Sequence, residues 1–287
     1  MQSFEVGLIG GPAERWYRKA RPEVEAMPWG TLPLGDVAPD TIARARRVWT
    51  MAAFQEYRTG AACTRALEHL FACSAPIDLI ALCSRFPTDE IVHVELAARL
   101  LTELGGAVDL RYDPEQLGAR PKPGPDALFR AAEQMMRVFC VGEAVSIPIL
   151  RASWLHADIE LIRAVLGRIV KDEAVHGEVG VWFFEWCIEA FDADERAALR
   201  AIAHDEVGKL IRSWERFRPA IATDESLDAH AGAYGLTSGE QGAGRLGWMP
   251  EDIYFATAHA ALDSAVLEPL GRLGLDPREH APVPGHP

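Results

Sequence analysis

The chain carries one eight-residue pattern twice: Asp89-Glu90-Ile91-Val92-His93-Val94-Glu95-Leu96 and Asp172-Glu173-Ala174-Val175-His176-Gly177-Glu178-Val179. The copies agree at Asp, Glu, Val, His and Glu, and both end in a branched apolar residue. With 9 His in 287 residues, a His three places after a given Glu has a chance of about 3%. Two such pairs in one frame are hard to attribute to accident. Residues three apart share a face of an α-helix. Each copy therefore turns one carboxylate and one imidazole the same way, as a metal ion would need.

The rest of the chain supports helices around these copies. Residues 1–39 hold Pro12, Pro22, Pro28, Pro33 and Pro39 and read as an irregular N-terminal arm with a short helix near Ala13–Lys19. Asp40-Thr41 opens a first long helix to about Ala72, and a short segment Ile77–Cys83 follows. Pro87-Thr88-Asp89 opens a second helix to about Leu104, stopped by Gly105-Gly106. Pro125-Asp126 opens a third, ended by Pro148 after Ile147, and Ser153 a fourth reaching about Phe191. A fifth spans about Asp194 to Arg218, residues 219–250 form a long loop, and a last helix runs from Pro250 to about Leu273. The glycine-rich run 235–247 is not followed by Lys-Ser/Thr as a phosphate loop would be, and reads as a flexible loop and candidate lid. No strand signal competes, so the class is all-α. A single helical domain is expected over 40–275, with a flexible tail at 276–287.

Two further carboxylates stand alone on apolar helical stripes. Glu143 lies among Met136, Phe139, Cys140, Ile147 and Leu150; Glu56 lies among Trp49, Ala52, Ala53, Gly60 and Cys63. A buried, unpaired charge costs several kcal/mol, so such a residue is normally paired or bound to a cation. Glu68 rivals Glu56, but with Arg65 three places earlier and His69 beside it, it reads as a solvated residue. Glu56 and Glu90 are 34 residues apart, and Glu143 and Glu173 are 30. Near-equal hops are expected if two helical hairpins each return the second helix to the height of the first. The connection 107–124 is then a crossover between hairpins. Ala97 and Gly180 sit one turn after each His, leaving room for close helix approach. Asp89 and Asp172 stand behind the ligands as acceptors for the second imidazole N–H. Glu95 and Glu178 point well away from the first Glu of each copy.

Two Glu-x-x-His pairs with one Glu from each of two other helices are the dinuclear carboxylate constellation of four-helix bundles. The arrangement resembles the ferritin-like di-iron carboxylate superfamily over about residues 45–190, through Glu56, Glu90-x-x-His93, Glu143 and Glu173-x-x-His176. The hop lengths look more like the arylamine N-oxygenases than the bacterial hydrocarbon hydroxylases. One position departs from that subfamily: its additional His ligand, one turn before the Glu of the second copy, is Ile169 here, with Arg168 adjacent. The resemblance implies a ferritin-like four-helix bundle with additional C-terminal helices. It also implies two Fe ions, with Mn/Fe or Mn/Mn as alternatives, held by Glu56, Glu90, His93, Glu143, Glu173 and His176.

The expected activity is that of an O2-dependent di-iron oxidoreductase, a monooxygenase-like enzyme that hydroxylates or N-oxygenates a small organic substrate. Electrons would come from an external donor, a reductase or a ferredoxin, because the chain shows no flavin, Rossmann or Cys-cluster motif. One alternative is a ferritin-like iron-handling, peroxide-scavenging or manganese catalase protein. A second is a metal-free all-α binding or scaffold protein. A net charge of −13 argues against nucleic-acid and anionic-membrane surfaces. No run of 18 apolar residues is uninterrupted, so no membrane span is expected. Five Cys without a C-x-x-C pair read as reduced thiols of a cytoplasmic protein. A homodimer is compatible with these features, which leave the oligomeric state open. Tyr57 and the Trp182–Trp186 cluster are expected to pack; His156, His204 and His259 lack a companion at ligand spacing.

Overall fold

The computed structural model describes residues 1–117, 126–223, 236–237, 246–247, 249–281 and 283. In chain order these form strand β1 (Gln2–Ser3), helices α1 (Gly11–Lys19), α2 (Pro22–Glu25), α3 (Pro39–Ala72), α4 (Ile77–Cys83) and α5 (Phe86–Glu103), then strand β2 (Arg111–Tyr112). There follow α6 (Ala127–Met135), a π-helical stretch (Met136–Glu143), α7 (Ala144–His156), α8 (Glu160–Cys187) and α9 (Ala193–Thr223). Short strands β3 (Leu236–Thr237) and β4 (Met249–Pro250) precede α10 (Glu251–Ala261), a second π stretch (Leu262–Leu267) and α11 (Glu268–Arg272). The fold is all-α, as the periodicity predicts. The strands are two-residue ladders, β1 antiparallel to β2 and β3 parallel to β4, too short to leave an alternating pattern in the sequence.

Local chemistry sets the helix ends. Pro39 occupies the first turn of α3, where its fixed φ suits the helix and its missing N–H loses nothing. At the end of α5, Gly105 adopts φ 94° and the Gly106 N–H donates to the Leu101 carbonyl at 2.7 Å. That closure needs a left-handed residue, which glycine supplies without strain.

Two helix pairs hold the centre. In the first, a Cβ on Gly60 of α3 would lie 3.2 Å from the Glu90 Cβ of α5. At the other end of the same pair, Arg46 Nε donates to the Gly106 carbonyl at 2.6 Å. Rising numbers on α3 meet falling numbers on α5, so the pair is antiparallel. In the second, Gly180 of α8 faces Cys140, Gly177 faces Ala144 and Gly167 faces Trp154, again antiparallel. Gly180 is required by this approach: a Cβ there would lie 2.9 Å from the Cys140 backbone nitrogen. Two apolar cores flank the middle of these helices. One includes Ala62, Phe86, Phe139 and Val179, the other Ala53, Val92, Leu166 and Ile169.

Several expectations need correction. Pro148 does not end the third helix, which continues to His156, and the fourth begins at Glu160 rather than Ser153. A proline inside a helix costs about 3 kcal/mol. Full burial of Val145 and Ile149 on either side contributes about 1.5–3 kcal/mol each, which offsets it. Ser146 Oγ also donates to the Glu143 carbonyl at 2.9 Å at this junction. The fifth helix extends through Pro219 to Thr223, so the following loop starts later than residue 219. The glycine-rich run 235–247 lies outside the described residues except 236–237 and 246–247, and 118–125 of the crossover lies outside them too. In the tail, Pro277 and Val283 are buried, and 282 and 284–287 lie outside the described residues. The stretch Ala127–His156 is long and apolar enough, by length and composition alone, to cross a membrane; 56% of its apolar window is buried inside the fold.

Candidate metal centre

The two flanking cores leave a polar seam between them. Glu56 comes from α3, Glu90 and His93 from α5, Glu143 from the last turn of the π stretch, and Glu173 and His176 from α8. All six meet there. Glu90, His93, Glu143, Glu173 and His176 are buried, and Glu56 closes one edge with 16% of its side chain exposed. Glu143 reaches this position through the π turns: the Ala144 N–H reaches back five residues to the Phe139 carbonyl.

The donor atoms fall into two overlapping groups, Glu56–Glu90–His93–Glu173 and Glu90–Glu143–Glu173–His176. Within each group the ligand atoms lie within 4.8 Å of one another. His93 Nδ1 stands 3.4 Å from Glu56 Oε2, 3.8 Å from Glu90 Oε2 and 3.2 Å from Glu173 Oε1. His176 Nδ1 stands 3.1 Å from Glu90 Oε1 and 3.1 Å from Glu173 Oε2. Glu90 and Glu173 each turn one oxygen to one imidazole and the second oxygen to the other. Glu90 and Glu173 belong to both donor groups, Glu56 to the first alone and Glu143 to the second alone.

Both oxygens of Glu90, Glu173 Oε2, the Nδ1 atoms of His93 and His176, and His176 Nε2 are buried without a hydrogen-bond partner. Orphaned polar atoms at this density are rare in a folded core, because each carries an uncompensated desolvation cost. Oxygen and imidazole donors in two groups of four fit divalent iron or manganese. The buried carboxylate and imidazole cluster can therefore hold metal.

The electrostatics point the same way. Burial, with Glu90 and Glu173 adding to it, pushes the Glu56 carboxyl up to about 8. Burial and the charges of Glu173 and Glu90 hold the Glu143 carboxyl well above the usual range. Burial also acts on Glu173, but the His176 and His93 imidazoles outweigh it and hold its carboxyl well below the usual range. Burial acts against the charged form of both imidazoles. His93 is nevertheless raised by Glu173, Glu56 and Glu90, and His176 by Asp89, Glu173 and Glu90 up to about 12. Burial and the nearby carboxylates raise the neighbouring Cys63 thiol, so it is a neutral wall and not a thiolate ligand.

Asp89 and Asp172 do stand behind the imidazoles, but exchanged between the copies. His93 Nε2 lies 3.2 Å from Asp172 Oδ2, and His176 Nε2 lies 3.6 Å from Asp89 Oδ2. The His93 contact is a hydrogen bond and leaves Nδ1 for a cation; His176 Nε2 faces Asp89 at ion-pair distance, just beyond a hydrogen bond. Sequence reasoning missed the two arginines beyond these aspartates, Arg85 and Arg168, although each precedes its Asp by four residues. The residues set aside lie off the site. Glu68 and Glu178 are exposed, and Glu95 pairs with Arg21 at 2.6 Å. Tyr57 packs on Phe4 and Tyr112. In the aromatic cluster Phe183 and Phe184 are core, whereas Trp182 and Trp186 are exposed.

A cavity of about 30 Å³ reaches Glu56 and His93 between walls that include Trp49, Ala97, Leu150 and Ile169. Gly247 lines it too, beside Leu246, whose carbonyl accepts from Trp49 Nε1 at 2.9 Å. A larger cavity of about 450 Å³ lies between Val6–Leu8 of the arm and the opposite face of α5, around Ile91, Val94 and Ala98. No protein-family model, curated protein or solved structure matches the chain.

Proposed function

We propose that this chain is a ferritin-like dinuclear non-haem iron protein that activates O2 to hydroxylate or N-oxygenate a small organic substrate. In this reading α3, α5, α6–α7 and α8 are the metal-bearing four-helix bundle. The observation that carries it is the pair of donor groups sharing Glu90 and Glu173, with their inward-facing atoms otherwise unsatisfied. Iron is the first choice of metal, with Mn/Fe or Mn/Mn as the other pairings these donors suit. A bound pair of such ions supplies the redox chemistry of O2 reduction, with electrons from an external reductase or ferredoxin.

The protein's own contribution follows from its residues. Glu56, Glu90 and His93 would hold one ion and Glu143, Glu173 and His176 the other, with Glu90 and Glu173 spanning both. Asp172 and Asp89 set which imidazole nitrogen faces inward. The apolar wall of the cavity at Glu56 keeps bulk water off that edge.

The volume of that cavity favours a second reading. About 30 Å³ admits a molecule the size of water or O2 and no ring-sized substrate. An iron-handling, peroxide-scavenging or manganese catalase protein would need no more.

Anaerobic loading with Fe(II), metal analysis and exposure to O2 test both readings. About two irons per chain and an O2-dependent absorbance change are expected. Oxidation of added organic substrates then selects the first reading, and turnover of peroxide alone the second. A chain that takes up no metal and keeps its stability would leave an all-α scaffold.

A further inference from the structure

We propose that Arg85 is a positioning residue for the Glu143–His176 position, holding the Asp89 carboxylate that stands behind His176, with Asp172 as its second and redundant contact. This rests on the dinuclear reading above. Arg85 Nε lies 3.0 Å from Asp89 Oδ2, and its NH2 group lies 3.5 Å from Asp172 Oδ1. Asp89 faces His176 and Asp172 faces His93. One guanidinium thus closes a chain of contacts His176–Asp89–Arg85–Asp172–His93 across the back of the centre. A planar fork with several donors can serve two carboxylates at once, which an ammonium cannot.

The repeat is longer than it first looks. Arg85 stands four residues before Asp89 and Arg168 four before Asp172, so both copies read Arg-x-x-x-Asp-Glu-x-Val-His. The two arginines are nevertheless unequal. Arg168 contacts Asp172 and Glu23 of α2, the latter at 3.3 Å. Among the described residues, no guanidinium or ammonium besides Arg85 stands within 4.0 Å of Asp89. Removing Arg85 therefore strips Asp89 of its cation while Asp172 keeps Arg168. The side chain of Arg85 is 57% exposed, so its loss opens no core, whereas Asp89, Asp172 and both imidazoles are buried.

An asymmetric effect follows. Partners behind metal ligands typically govern affinity by about 10–100-fold. Arg85 stands one contact further back and is half exposed, so Arg85→Ala should weaken the Glu143–His176 position about three- to tenfold and leave the Glu56–His93 position within about twofold. Arg168→Ala should leave both positions near wild type, because Arg85 still reaches Asp172. Arg85→Lys, which restores a cation beside Asp89, should recover most of the loss.

The test is an anaerobic Co(II) titration of the full metal-free chain, read by d–d absorbance and calorimetry. Support is one strong and one weakened step in Arg85→Ala, with the ligand-field bands of one ion displaced. Arg85→Gln carries the same expectation should the alanine variant fold poorly. Two steps with wild-type affinities and bands, or an equal loss at both positions, overturn the role. A wild-type chain that takes no Co(II) overturns the dinuclear reading itself, which separates the two failures.

Discussion

Loading the cluster with metal should expel protons, and their number can be worked out from the site. Near neutral pH Glu56, pushed up to about 8, and His176, pushed up to about 12, each hold a proton. As ligands to a cation, the carboxyl must be ionised and the inward Nδ1 bare. Binding two ions should therefore release at least about two protons, and each linked proton is worth about 1.4 kcal/mol per pH unit. Loading of the pair should then strengthen by about 2.7 kcal/mol per pH unit below about pH 8, roughly a hundredfold for the pair. Above about 8 the slope should ease, because Glu56 has already lost its proton. Isothermal calorimetry of Mn(II) binding in buffers of different ionisation enthalpy counts the protons directly. Release of fewer than two, or an affinity flat from about pH 6 to 8, would refute both the shared burial of these groups and their role as ligands.

The same shifts give the metal-free chain the opposite trend. A carboxyl whose folded value is raised stabilises fully below its unfolded value and loses that contribution as pH climbs through the folded one. For Glu56 that window runs from 4.5 to about 8, so the metal-induced gain in Tm should widen as pH rises toward 8, read by scanning fluorimetry with and without chelator. Glu90→Ala or Glu173→Ala should abolish binding at both positions, whereas Glu56→Ala or Glu143→Ala should leave one ion per chain by metal analysis. Equal stoichiometry across the four variants would remove the bridging assignment. Gly180→Ala forces a Cβ to 2.6 Å from Cys140 Sγ and 2.9 Å from its backbone nitrogen, and should cost about 1–3 kcal/mol in a denaturant melt. Gly177→Ala, which meets the mobile end of Ile147, should cost less; the reverse order would contradict the packing described.

The part of this site that could be read from sequence is the part governed by helical periodicity. Glu-x-x-His, with the preceding Asp, is a pattern within one turn, and Glu56 and Glu143 stood out as single carboxylates on apolar stripes. What could not be read depends on how one helix is rotated against another. That each imidazole turns to the Asp of the opposite copy is settled by the α5–α8 packing, and nothing in either octet encodes it. Arg85 was equally invisible as a contact, although its spacing to Asp89 mirrors that of Arg168 to Asp172. Pro148 does not end its helix because the burial of Val145 and Ile149 beside it offsets its low propensity, and that burial is not written in the local sequence. Glu95 and Glu178 match within the repeat yet lie off the cluster, since identity of letters does not distinguish a donor to the seam from a carboxylate turned to Arg21, as Glu95 is, or to solvent, as Glu178 is.

The π stretch Met136–Glu143 holds more residues than α-helical turns would need for the same rotation. Deleting a single residue within it can therefore be absorbed by tightening to α-helical turns, which leaves α7 near its phase. The same deletion in α5 or α8 would swing every residue beyond it by about 100° and carry one half of a Glu-x-x-His pair off the seam. Of the helices around the centre, the one that carries Glu143 thus holds slack in its length, and the two that carry the imidazoles hold none.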